Sequence, residues 1–349
     1  TKYSTAVLPV NIEIIIAIII GYLIYTKKIE AFIPSLIALL ILYLFVWIGS
    51  NNPINLQDIG IKSENVKHTW IVLLFIYSAI ASLIPVWILL QPRDYINSHQ
   101  LIVGLLILYL GLLITNPKIT APVTNVDSDV SWFPLLFITI ACGAISGFHG
   151  LVSSGTTSKQ IDKETDAVPI GYGGMVGESM LGLLAVLSCT AGFSSPETWS
   201  EHYSSWTAAS SLSEKMRAFI DGSASFITTL GVSTELAQAF IALVAVSFAL
   251  TSLDSGTRLL RYNITEIADS VRLPQLAGRY TASTVAVVLI GFFAFYEIQG
   301  QPVGLAMWKL FGSTNQILGA LTLLSITIYL RQRGANYWYT AIPMAFMLV

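Results

Sequence analysis

Long apolar runs with few charges dominate this chain. The clearest of them cover residues 7–25, 32–48 and 70–90. A helix needs about 20 apolar residues to cross the hydrocarbon core of a bilayer, so runs of this kind predict membrane spans. The chain as a whole is 54% hydrophobic and only 11% charged, whereas soluble domains carry about 25% charged residues. We therefore expect an all-α fold, a polytopic transmembrane helix bundle.

The spacing of the runs predicts one transmembrane domain over residues 1–349, with about ten helices of spanning length. The chain lacks an initial Met and stops inside an apolar run, so we expect it to be incomplete at both ends. Residues 194–231 predict a polar loop followed by an interfacial or re-entrant helix, because they are too polar for an ordinary span. The apolar run 304–329 contains Gly312-Ser313-Thr314-Asn315-Gln316, which predicts a helix break.

Several function classes are excluded by composition and by missing motifs. The net charge of −2 offers no basis for a nucleic-acid partner. Cys142 and Cys189 lie in apolar runs and match small core residues better than a disulfide or a metal site. The chain contains no zinc-protease motif, nucleophile elbow or phosphate-binding loop. We expect no enzymatic activity, no catalytic residues, no metal and no cofactor.

A polar, glycine-rich stretch at residues 139–180 is the first candidate for a binding site. Such a stretch survives at membrane depth only where it lines a cavity, and a helix that breaks there exposes backbone groups that hold substrates and ions. The alternative is close helix packing, since Gly143 and Gly147 are spaced as a small-residue motif. The predicted substrate-binding residues are Gly143, Ser146, Gly147, His149, Ser153, Ser154, Thr156, Thr157 and, from the second break, Asn315.

Three ionisable residues are candidates for ion or proton coupling. His149 titrates near neutral pH, or it satisfies local carbonyl groups. Glu178 lies about two turns into an apolar helix, where a charge costs at least ~2.5 kcal/mol, or else it lies in the interface. Asp254 ends an apolar run beside hydroxyl groups, with an ion pair to Arg258 as the alternative. The predicted coupling set is Glu178, His149, Thr251, Ser252 and Asp254.

Two further charged positions are interpreted as structural. Arg93 and Asp94 follow Gln91-Pro92, which predicts a short interfacial turn, with a fixed arginine that gates an anionic substrate as the alternative. Glu13 is expected near a helix end, with its carboxylate extended toward water.

Six longer strings carry a family resemblance. They are PVWILLQPRDY at 85–95, FITIACGAISGFH at 137–149, SSGTTSK at 153–159, PIGYGGM at 169–175, SFALTSLD at 247–254 and LFGSTNQ at 310–316. In these strings the chain resembles the carbon starvation protein A (CstA) family of bacterial and archaeal membrane proteins. The family's N-terminal histidine and GAGP-type segment is absent, so we expect this chain to hold only part of the binding site.

The resemblance implies a secondary transporter with a five-plus-five inverted repeat and broken helices. Residues 133–155 would form one broken helix, residues 171–190 would place Glu178 beside it, and residues 236–254 would bring Asp254 to a cation position. We therefore expect a multi-pass protein of the inner (plasma) membrane that takes up short peptides or pyruvate during carbon starvation. The expected coupling cation is a proton. The alternative is a membrane-embedded metabolite sensor that binds without transporting.

Overall fold

The computed structural model describes residues 3–124, 140, 143–155, 157–205, 209, 211–298 and 301–348, and helices dominate these ranges. The first helices are α1 (Val7–Tyr25), α2 (Phe32–Asn51), α3 (Val66–Leu83), α4 (Leu90–Thr115), α5 (Gly147–Gly155), α6 (Ala167–Ala191) and α7 (Pro196–His202). The others are α8 (Leu212–Thr228), α9 (Thr234–Ser270), α10 (Pro274–Ala277), α11 (Arg279–Phe295), α12 (Val303–Ala306), α13 (Trp308–Gln332) and α14 (Trp338–Leu348). Strands β1 (Glu297–Ile298) and β2 (Gln301–Pro302) form a small antiparallel pair.

Seven helical segments of the described chain are long and apolar enough to cross a membrane. They are Ser4–Tyr25, Phe32–Asn51, Ser63–Leu83, Leu90–Thr115, Glu164–Ala191, Thr234–Ser270 and Leu310–Gln332, and two shorter apolar helices, Arg279–Phe295 and Trp338–Leu348, accompany them. Many large apolar side chains on these segments face outward, as lipid contact requires. This confirms a helical, multi-pass membrane protein, while the inverted repeat stays a prediction.

The chain divides into two compact units. Unit 1 consists of Thr1–Val126 and Val176–Val288. In its core α9 packs against α1, α2, α3, α4 and α8. Ala17, Leu42, Leu243 and Ala239 are among the fully buried residues that hold these helices together. The long helix α9 is therefore the central element of unit 1.

Unit 2 consists of Asp127–Met175 and Leu289–Val349, and α13 packs there against both α5 and α14. Ala320 of α13 and Met347 of α14 form the buried centre, with Ile145 packed against them. The Gln316 side-chain amide donates to the Met347 carbonyl at 3.0 Å and ties α13 to α14.

One of the two expected helix breaks is present and the other is wrong. Gly143 and Ala144 are helical, residues 145 and 146 are not, and α5 begins at Gly147. The run through Gly312–Gln316, in contrast, is an uninterrupted part of α13. Its polar side chains do not end the helix, since the Thr314 hydroxyl bonds the carbonyl one turn back, at Leu310. Residues 133–139, 141 and 142 of the expected broken helix lie outside the described residues.

The polar region 194–231 contains α7 and α8, and residues 206–208 and 210 within it lie outside the described part. Helix α8 packs against α4 and α9, with Ile220 and Phe226 fully buried. Its packing is that of a core helix of unit 1, and its depth in the membrane stays a prediction.

Candidate functional site

Unit 1 contains a group of buried charged and polar side chains, here called the buried polar cluster. Its members are Glu13 on α1, Tyr77 on α3, Arg93, Asn97 and Gln100 on α4, and Ser247 and Asp254 on α9. All except the half-buried Tyr77 are at most 2% exposed. Ionisable groups inside membrane segments are expensive, and they mark ion and substrate pathways more often than structural sites. The cluster is therefore the strongest functional candidate in the described chain.

Helical spacing brings these residues into line. On α4, Arg93, Asn97 and Gln100 follow one another at intervals of four and three residues and so share one face. On α9, Ser247 and Asp254 are two turns apart on one face. Each helix thus carries a polar line along a side that is otherwise packed against its neighbours.

An ion pair between α4 and α9 forms one end of the cluster. Arg93 Nη2 lies 2.5 Å from Asp254 Oδ2, and both side chains are buried. The Tyr77 hydroxyl donates to the same Oδ2 at 2.8 Å and accepts a hydrogen bond from Arg93 Nη1. Removing one partner of such a buried pair costs about 3–5 kcal/mol. The pair therefore joins α3, α4 and α9 firmly.

The alternative pairing of Asp254 with Arg258 is wrong. Arg258 Nη2 instead donates to the carbonyl oxygens of Ala81 at 2.8 Å and Ile84 at 2.9 Å. These carbonyls belong to the end of α3, where helical backbone acceptors lack partners within the helix. Arg258 thus serves as a cap for α3.

The other end of the cluster is Glu13. The Ser247 hydroxyl donates to Glu13 Oε2, while Glu13 Oε1 has no hydrogen-bond partner. Asn97 lies beside this carboxyl group. The side-chain amide atoms of Asn97 and Gln100 also lack partners. This end of the cluster therefore offers a carboxyl and the Asn97 amide, which can bind a proton, an ion or a polar ligand.

Two interpretations from sequence are wrong at these positions. Glu13 does not reach toward water, because it is the seventh residue of α1 and is 2% exposed. Arg93 is not in an interfacial turn, because α4 already begins at Leu90 and buries it completely. A signal for Glu13 was present in the sequence, since it is a lone charge within a long apolar run, as Glu178 is.

Part of the predicted substrate set meets at the start of α5 in unit 2. The backbone N–H of Phe148 donates to Asn315 Oδ1 at 2.8 Å. A Cβ on Gly147 would overlap the carbonyl oxygen of Asn315 and lie 2.6 Å from Leu318 Cβ. Helices α5 and α13 therefore touch at this glycine, and Asn315 caps the first turn of α5.

The other predicted substrate residues do not meet at a common point in the described structure. The hydroxyls of Ser153 and Ser154 each donate to the carbonyl of Gly150 at 3.0 Å, within α5 itself. His149 is exposed, and Ser146 is half-buried at the break before α5. Gly143 is exposed and Thr157 begins a short 3₁₀ turn, while Thr156 lies outside the described residues. Their roles stay predictions.

Of the predicted coupling set, Asp254 alone belongs to the buried polar cluster. Glu178 is exposed on α6, and Ser252 is exposed on α9. The Thr251 hydroxyl donates to the carbonyl of Phe248 at 2.9 Å, one turn back. Glu178 and His149 belong to different units, and a coupling role for either stays a prediction.

An open polar pocket of about 530 Å³ also lies in unit 1, near the beginning of α9. Tyr3, Arg217, Asp221, Glu235 and Gln238 line it. Arg217 Nε lies 3.5 Å from Asp221 Oδ2, and both side chains are well exposed. Burial, more than the nearby carboxylates, raises the pKa of Tyr3 to about 12. This pocket is a polar opening rather than a second buried charge site.

Spanning helices with charged residues buried between them define a class of multi-pass membrane proteins that handle ions or polar solutes. The family model for carbon starvation protein CstA matches residues 1–197 and 192–349. The chain belongs to this family.

Three named proteins are similar to this chain in sequence. The peptide transporter CstA of Escherichia coli (strain K12) is 31% identical over 340 residues, covering 81% of this chain and 48% of the relative. The peptide transporter CstA of Bacillus subtilis (strain 168) is 29% identical, covering 97% and 62%. The pyruvate/proton symporter BtsT of Escherichia coli is 30% identical, covering 78% and 48%. The chain thus spans roughly half the length of these relatives, and no solved structure matches it.

Proposed function

We propose that this chain works as a secondary active transporter of the inner membrane that takes up short peptides or pyruvate together with protons. The observation that carries the proposal is the buried polar cluster, in which two carboxyl groups and one guanidinium lie between spanning helices. The relatives support it, since their names describe a peptide transporter and a pyruvate/proton symporter.

The placement of the charges favours transport over binding alone. Each ionised group at membrane depth costs at least ~2.5 kcal/mol, so such groups are usually found where they have a function. Here the charges join α1, α3, α4 and α9, and a change at one carboxyl alters the contacts of several spanning helices. A protein that only binds a metabolite does not need such a linkage, whereas a transporter must couple an ion to helix movement.

The substrate site is proposed at the start of α5 in unit 2. A helix that begins at a break places the positive end of its dipole there, which suits the carboxylate that short peptides and pyruvate share. In α5 the N–H groups of Phe148 and His149 are bonded to Asn315 Oδ1 and to the Ser146 carbonyl, so the dipole and the neighbouring side chains are what the proposal relies on. The candidate residues are Gly143, Ser146, Gly147, His149, Ser153, Ser154, Thr156, Thr157 and Asn315, and Asn315 supports the proposal because it orders the first turn of α5.

Uptake into proteoliposomes tests the proposal. The purified protein is reconstituted, and accumulation of labelled dialanine and labelled pyruvate is measured with the interior alkaline, with no pH gradient, and with a protonophore. Accumulation above the external concentration that requires the gradient is expected for at least one substrate. Saturable binding without accumulation would identify a receptor instead. Protein-free liposomes provide the control.

A further inference from the structure

We propose that Glu13 is the residue that takes up and releases the coupled proton, and that Asp254 is the partner of Arg93 while Glu13 is protonated. The inference rests on the proposed proton-coupled transport and assigns its ion site. It also replaces the exposed residues His149 and Glu178 as the first candidates for this role.

The balance of charges in the buried polar cluster is the first argument. Arg93 is the guanidinium that both buried carboxyls face, and its direct ion pair is with Asp254 at 2.5 Å. None of the ion pairs in the described part of the chain includes Glu13. Asp254 holds Arg93 directly and also interacts electrostatically with Arg258, so Glu13 is the buried carboxyl that has no ion-pair partner. A buried carboxyl without such a partner takes up a proton rather than remain charged.

The groups around Glu13 are the second argument. Helix α9 contributes the Ser247 hydroxyl, with Asp254 two turns further on. Helix α4 contributes Arg93, Asn97 and the exposed Asp94, which also interacts electrostatically with Glu13. Helix α2, the other helix packed against α1, has Tyr43 as its sole titratable side chain. No lysine or histidine of these helices occupies the space beside Glu13.

The hydrogen bonding suits a carboxyl group that gains and loses a proton. Ser247 satisfies Oε2, and Oε1 is left with no partner among the described residues. A proton on Oε1 turns that atom into a donor. The Asn97 amide lies beside this carboxyl group, and its Oδ1 has no hydrogen-bond partner. It is therefore an acceptor available to a protonated Glu13.

Release of the proton would change which helix Arg93 holds. A negative Glu13 on α1 competes with Asp254 on α9 for the single guanidinium on α4. Proton uptake from water neutralises Glu13 and returns Arg93 to Asp254, and the reverse step gives the proton back to water. The proton thereby controls a contact between spanning helices, as coupling requires.

Infrared difference spectroscopy tests the protonation directly. The wild-type protein should show a carboxylic-acid C=O band that disappears as the pH is raised, and Glu13→Gln should remove it. Glu30→Gln, a change at an exposed glutamate in the loop after α1, should leave the band unchanged. Ser247→Ala keeps the carboxyl but removes its donor, so the pH at which the band is lost should shift upward. A wild-type spectrum identical to that of Glu13→Gln at every pH would overturn the assignment.

Transport measurements separate this inference from the proposed function. Glu13→Gln should lose the stimulation of uptake by a pH gradient but keep exchange of labelled for unlabelled substrate at equal concentrations. Glu30→Gln, the change at the exposed loop glutamate, should keep both. Gradient-driven accumulation by Glu13→Gln at the wild-type level would refute the inference while leaving the transporter intact. A wild-type protein that never accumulates substrate would refute the proposed function, and the infrared result would still decide the protonation of Glu13.

Discussion

Replacing Asp254 with Asn is the sharpest test of the buried polar cluster as an energetic unit. The change leaves Arg93 fully buried and charged without its ion-pair partner, and it keeps the hydrogen bond from Arg93 to the Tyr77 hydroxyl. Loss of one member of a buried pair costs about 3–5 kcal/mol, because the other charge stays desolvated. We therefore expect Asp254→Asn to lower the free energy of unfolding by an amount in this range.

A double-mutant cycle provides the measurement. The free energy of unfolding is determined in mixed micelles for Asp254→Asn, Arg93→Gln and the double variant. The double variant should lose much less stability than the sum of the two single losses, because both charges are then absent. Additivity to within about 0.5 kcal/mol would refute the reasoning, since that is what independent sites show. Arg217 and Asp221, an exposed pair at 3.5 Å, form the matched control, with an expected coupling of about 0–1 kcal/mol.

Three further predictions concern packing and capping. Gly147→Ala should lower the free energy of unfolding by about 1–3 kcal/mol, because its methyl group would overlap α13, whereas Gly171→Ala meets open space and should cost far less in the same thermal unfolding assay. Asn315→Ala should cost about 0.5–2 kcal/mol through loss of the cap on α5, and unchanged thermal unfolding would contradict that role. Arg258→Met should leave the carbonyls at the end of α3 without a donor and speed hydrogen exchange in its last turn, whereas unaltered exchange would show that the cap is dispensable.

The spanning helices could be predicted from the sequence because their signal is local. Some 20 consecutive apolar residues have few alternatives to a membrane helix. The partners within the buried polar cluster could not be predicted in this way, since Glu13 and Ser247 are 234 residues apart in the chain and Tyr77 and Asp254 are 177 apart. The sequence shows the cost of burying a charge but not which charge or hydroxyl offsets that cost.

Glu13 and Glu178 also show that the sequence does not reveal which of two similar carboxyls is buried. Each is a lone carboxyl in an apolar run, yet Glu13 is buried among α2, α4 and α9 while Glu178 is exposed. Both helices are apolar around their whole circumference, so periodicity does not reveal which face packs inward. Tertiary packing decides which of two similar residues becomes part of a site.

The predicted helix break at the polar segment of α13 was wrong for a related reason. Glycine, serine and threonine weaken a helix by at most about 1 kcal/mol each. Contacts such as the one from Gln316 to the Met347 carbonyl hold the segment helical. Local propensity is too small to end a helix that is packed on two sides.

Helix α9, which carries Asp254 of the buried polar cluster, is longer than the membrane interior is thick. Its 37 residues extend over about 55 Å at 1.5 Å per residue, whereas the hydrocarbon core is about 30 Å thick. Asp254 lies near the middle, and the segment beyond it carries Glu266 and Asp269. Asp254 and Ser270 are 16 residues apart on α9, about 24 Å at 1.5 Å per residue. The contact between Arg93 and Asp254 therefore holds a helix whose far end lies well away from the buried polar cluster.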